Sequence, residues 1–160
     1  MTAARLLALL FLFVFLAAGQ SQPTLTVQGL NGSSVTLTAV GFSKLPLQSV
    51  QATDHGTAAT FEGLPLATVL AKVELPLGDK FHSTAASYFV SIEAADGYRA
   101  VFAWPELDST FMDKAVWVVV KRDGKPLADR DGPFQLVVPD EKRGGRWVRQ
   151  VKAIVLKKDN

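Results

Sequence analysis

The 160-residue sequence contains no cysteine. That absence removes disulfides, thiol catalysis, thiolate-ligated iron–sulfur clusters and Cys-type zinc sites, so stability must come from apolar packing. Histidine is nearly as scarce, with only His55 and His82. No His-x-x-His, His-Glu-x-x-His or Asp-x-Asp-x-Asp spacing occurs, and no Gly-x-Ser-x-Gly elbow, so neither a dedicated metal site nor a serine hydrolase is indicated. An excess of one charge is missing too. Seventeen Lys and Arg face fifteen Asp and Glu, a net charge of +2. A nucleic-acid binder carries a strongly basic face, so nucleic acid is excluded as the expected partner.

Long apolar runs are also rare. The one that stands out, Leu6 to Leu16, follows Arg5 and precedes Ala17-Ala18-Gly19. A short charged start, an apolar core of about a dozen residues and a small-x-small site read as a secretory signal peptide over residues 1–19. The run is too short for the roughly 20 residues that span a bilayer, and no cysteine follows it to take a lipid anchor. The expectation is therefore a periplasmic or secreted protein with no membrane span after cleavage. Residues 20–160 then form a single domain of near-neutral charge, long enough to bury a real core.

That domain reads as α+β and mostly β. Thr24–Gln28 and Ser34–Thr38 alternate apolar and polar residues around Gly29-Leu-Asn-Gly32, as a hairpin does. Ala39–Leu45 suggests a short helical turn ended by Pro46. Leu47–Thr53 and Ala58–Phe61 read as strands. Leu64–Val73 carries Leu66, Val69, Leu70 and Val73 at helical spacing, with Pro65 in its first turn. Tyr88–Glu93 and Tyr98–Ala103 flank an Asp-Gly turn, and Trp104–Leu107 suggests another short helix. Ala115–Lys121, Phe134–Val138 and Val148–Leu156 supply further strands. Eight or nine strands joined by tight turns, with two or three short helices, leave no room for a doubly wound parallel sheet.

The strongest functional signal is the polar loop between the last two apolar segments, which carries Lys142, Arg143 and Arg146 and is followed by Arg149. Guanidinium groups match phosphate oxygens two at a time, so this loop is a candidate anion site, weighed against an ordinary exposed loop. His55 beside Asp54 is a candidate acid–base pair or ligand pair, weighed against a plain turn. Glu93, Asp96 and Asp108 are candidates for a carboxylate pair, although the Asp-Gly turn already accounts for Asp96. Trp117 fits a core strand, and Trp147, next to Arg146, is the most site-like tryptophan.

Four segments together resemble a known family. They are Phe61-Glu-Gly-Leu-Pro-Leu-Ala-Thr-Val-Leu70, Ser91-Ile-Glu-Ala-Ala-Asp-Gly-Tyr98, Gly132-Pro-Phe-Gln-Leu-Val-Val-Pro139 and Gly145-Arg-Trp-Val-Arg-Gln-Val151. From about Leu25 to Leu156 the chain resembles the oxidoreductase molybdopterin-binding domain of the sulfite oxidase type. The resemblance implies an α+β domain of mixed, mostly β sheets with a few short helices, and molybdopterin as the cofactor. By position it places Arg146 and Arg149 near the cofactor's phosphate end, Asp96 in the family's Asp-Gly-Tyr segment, and the metal-ligating cysteine where a strand ends at Ala52-Thr53-Asp54; Asp54, His55 and Arg143 join them as candidate cofactor-binding residues. The chain departs from the family pattern there. It has no cysteine, Asp131 replaces a histidine, and Gln135 replaces an arginine.

Two readings remain open. In one, an exported oxidoreductase keeps the pterin cofactor and completes the metal's coordination with Asp54 or His55. In the other, the same fold is a binding module for a small anionic ligand, a pterin or a protein partner. No catalytic residue is assigned.

Overall fold

A computed structural model describes residues 22–73, 85–139 and 141–159. The expected signal peptide and His82 lie outside the described residues.

The strands form where the period-two pattern is strongest. In β1 (Thr24–Gln28) Leu25 and Val27 point inward and are fully buried, while their neighbours face outward. β2 (Ser34–Thr38) pairs with it antiparallel, Leu25 opposite Leu37 and Val27 opposite Val35. The link holds Asn31 and Gly32 at φ 61° and 79°, and glycine meets that demand without a steric cost. The helix α1 (Ala39–Ser43) follows, with the Thr38 hydroxyl accepting from Gly41 N–H at its start.

Two sheets then assemble. The first has the order β2-β1-β10-β5-β6, where β5 is Tyr88–Ala94, β6 is Arg99–Ala103 and β10 is Val151–Lys158. Its β1–β10 pairing is parallel, Val27 opposite Ile154, and joins the two ends of the described chain. The second sheet is centred on β7 (Trp117–Arg122), which pairs with β4 (Thr57–Pro65), β8 (Lys125–Pro126) and β9 (Gln135–Val137). β3 (Gln48–Asp54) closes it outside β4. Val118, Val119 and Val120 are all buried, the pattern of a strand covered on both faces. One apolar cluster, including Phe42, Phe61, Phe102, Phe134 and Ile154, draws on both sheets.

The α+β, mostly β architecture stands as expected, with ten strands among the described residues. Some boundaries differ. The helix expected from Leu64 starts only at Leu66, because Leu64 and Pro65 complete β4 and Pro65 keeps an extended ψ of 138°. It runs as α2 (Leu66–Leu70) and tightens into a 3₁₀ turn over Ala71–Val73. Its expected inward face, Leu66, Val69, Leu70 and Val73, is buried. The last strand begins at Val151 rather than Val148, since Gln150 sits at φ 47° and breaks the extended run. Among the described residues no helix is long and apolar enough to cross a membrane.

Candidate functional site

β9 and β10 flank the basic loop but belong to different sheets, so residues 138–150 cross from one sheet to the other. The crossing is fastened by backbone hydrogen bonds. Leu136 N–H donates to Val148 O at 2.8 Å, Val151 N–H to Phe134 O at 2.9 Å, and Gln150 N–H to Asp131 O at 2.9 Å. Trp147 anchors the middle. Its indole Nε1–H donates to Val138 O at 2.9 Å, and its ring meets Phe61 edge-on at 5.8 Å.

Two tight turns meet this loop. The β3–β4 hairpin closes through His55 and Gly56 at φ 48° and 85°, the left-handed pair that a two-residue hairpin loop requires. The β5–β6 turn is set by the Asp96 carboxylate, which accepts from Tyr98 N–H at 2.9 Å. The Tyr98 hydroxyl then donates to Gly145 O, and Ala95 N–H donates to Gln150 O at 2.9 Å. These contacts hold the turn against the loop.

The result is a cleft of two adjoining cavities. The inner one, about 230 Å³, is lined by Asp54, His55, Asp96, Tyr98, Gln135, Trp147 and Arg149. The outer one, about 530 Å³, shares Asp54, His55, Gly144 and Trp147 and adds Glu141, Lys142 and Arg143. Five of the six expected site residues, Asp54, His55, Asp96, Arg143 and Arg149, therefore line one cleft.

Arg146 stands apart. It lines a separate cavity with Phe102 and Met112. Its Nη1 donates to Glu106 at 2.8 Å, its Nε donates to Glu141, and its guanidinium lies 4.3 Å from the Phe102 ring centre. Burial opposes its charge, but hydrogen bonds and attraction from Glu106 and Glu141 outweigh that and raise its pKa. Glu106 is itself fixed, since its other oxygen accepts from Ala103 N–H at 2.9 Å.

The remaining charges are largely paired. Arg122 Nη1 donates to Asp54 at 2.8 Å, and His55 Nε2 lies 3.7 Å from the other Asp54 oxygen with its ring mostly in solvent. Arg149 Nε lies 3.1 Å from the buried Asp131, which also receives Arg130 at 3.3 Å. Lys142 and Arg143 are exposed and form no ion pair with any described residue. Glu93 pairs with Arg99 at 3.3 Å, and Asp108 accepts from Thr110, so these acids do not converge with Asp96.

Gln135 and Tyr98 were missing from the expected site. Gln135 is only 4% exposed, and its side chain makes no hydrogen bond to a described residue. A lone polar side chain in the apolar run Phe134–Val138 was the available signal.

An α+β domain of two five-stranded sheets, with turns from both converging on a crossing loop, defines the class. A family model described as "Oxidoreductase molybdopterin binding domain" matches residues 34–160, and the chain belongs to that family. Among solved structures it is similar to the sulfane dehydrogenase SoxCD from Paracoccus pantotrophus. The TM-score is 0.64 at 18% identity, over 84% of this chain and 38% of that one. The chain thus spans less than half the length of that relative, and the likeness bears on the fold. Among curated proteins no match was found.

The donor set does not fit the metal of a molybdopterin cofactor in the family's manner. No thiolate exists in the sequence, and Asp54, near the expected ligand position, is already held by Arg122. No group of three His, Asp or Glu side chains suited to a metal gathers among the described residues. The organic part meets better partners, an indole and a phenol beside two unpaired cations.

Proposed function

We propose that this protein is an exported, single-domain ligand-binding member of the molybdopterin-binding family. Its cleft holds a pterin or another small anionic ligand, and thiolate-dependent molybdenum redox chemistry is not its activity. The observation that carries this reading is the cleft's polarity. Lys142 and Arg143 offer free cations at the outer end, while Trp147 and Tyr98 offer flat walls at the inner end. A phosphate-bearing heterocycle suits both ends at once. Asp54 and His55 border the ligand, Asp96 shapes the turn beside it, and Arg149 braces the inner wall through Asp131.

The test is purification of the full chain from its native compartment, followed by molybdenum per chain and pterin fluorescence after oxidation. Bound pterin or another anion with molybdenum far below one per chain is the expected result. One molybdenum per chain would overturn the reading in favour of a redox enzyme. Neither metal nor small ligand would turn it toward a module for a protein partner.

A further inference from the structure

The inner cavity is poorer in cations than the outer one, where Lys142 and Arg143 match Asp54 and Glu141. Among its lining side chains are two carboxylates, Asp54 and Asp96, and one guanidinium, Arg149. The guanidinium is already engaged by the buried Asp131, 3.1 Å away. An oxyanion entering this end meets carboxylates and no uncommitted cation. Desolvating it there without a partner is strongly unfavourable.

Gln135 supplies the complementary observation. β9 presents it to the inner cavity, the residue as a whole being 4% exposed, and the carboxamide bonds to no described residue. Its nitrogen and oxygen are not fully enclosed, so they are open to the cavity, and any ligand that covers them must satisfy both. A carboxamide offers a donor and an acceptor side by side. Its match is a group with the reciprocal pair, such as the edge of a lactam ring. Trp147 and Tyr98 border the same space and favour a flat ring over a tetrahedral ion.

We propose that the inner end of the cleft selects an uncharged lactam-type heterocycle and rejects tetrahedral and pyramidal oxyanions, with Gln135 setting the choice. This rests on the ligand-binding reading above and specifies which end of the ligand goes inward. Lys142 and Arg143 then receive the ligand's anionic end at the outer cavity.

Titration of the full chain with 2-aminopteridin-4-one, sulfite and sulfate, read by tryptophan fluorescence and calorimetry, tests the proposal. The uncharged pteridine is expected to bind, and both oxyanions to stay weaker than about 1 mM. Gln135→Leu is expected to lower pteridine affinity about tenfold, one net hydrogen bond's worth, with an unchanged melting temperature or a higher one. Gln135→Arg is expected to gain sulfite binding; should that variant not fold, the Leu variant and the wild-type titrations decide alone. Sulfite or sulfate binding below about 1 mM that persists in a Lys142→Ala, Arg143→Ala double variant overturns the proposal. So does a pteridine affinity indifferent to Gln135→Leu, or no pteridine binding. A phosphate-bearing pteridine that binds the double variant as tightly as the wild type would instead overturn the assignment of the outer end.

Discussion

Arg143 and Arg146 lie three residues apart on one loop, yet their surroundings give them different work. Arg143 is exposed at the outer cavity, whereas Arg146 bridges Glu106 and Glu141 over the Phe102 ring. Arg143→Ala is expected to weaken binding of a phosphate-bearing ligand by about tenfold and leave the melting temperature unchanged. Arg146→Ala is expected to cost about 1–2 kcal/mol in urea unfolding, because two carboxylates lose their cation and an aromatic face loses its cover. Equal stability in the two variants would contradict this division. Because the folded-state pKa of Arg146 is raised, its contribution is fully present below the ordinary guanidinium range and fades only as pH climbs through the raised value. Its share of stability is therefore constant across neutral and mildly alkaline pH, which urea titrations at several pH values can check.

Between β4 and β7 the register shifts at Glu62 and Gly63, and a Cβ placed on Gly63 would collide with the Val118 carbonyl and the Val119 backbone. Gly63→Ala is expected to destabilise by at least about 2–3 kcal/mol, since the obstacle is backbone and cannot rotate away; a melting temperature within a degree or two of wild type would refute the close approach. Gly63 sits inside the Phe61–Leu70 segment that carries the family resemblance, and in this chain packing alone accounts for a glycine there. Alternation in β1, β5 and β6, and helical spacing from Leu66 to Val73, were legible because a local period maps directly onto one buried face. The polar turns at Asp54-His55-Gly56 and Asp96-Gly97 were legible for the same local reason. What local patterns could not convey was pairing across sheets. Nothing near Arg146 in sequence announces Glu106, forty residues away, and nothing near Arg149 announces that Asp131 neutralises it. Four arginines and lysines therefore looked alike on paper, and only tertiary partners separated the free cations from the committed ones.

At the scale of the whole molecule, the first sheet is closed by β10, which lies between β1 and β5 and pairs with both. A chain ending at Gln150 loses that central strand, and it is expected to give no cooperative unfolding transition by circular dichroism; a folded truncation would show that the second sheet is self-sufficient. In the intact chain, the backbone amides of Val155 and Leu156 are expected to be among the slowest to exchange with deuterium. Pairing residue 27 with residue 154 also demands closure of nearly the entire chain before that contact forms, which places refolding in the millisecond-to-second range typical of non-local β topologies. The same clasp has a consequence for biosynthesis. While a ribosome is still making the protein, β1 can pair with β2 but waits for its other neighbour, so the first sheet cannot mature until residues 151–158 emerge. Until β10 is made the first sheet stays open, and an open sheet is the state in which a polypeptide can still be threaded through a narrow channel.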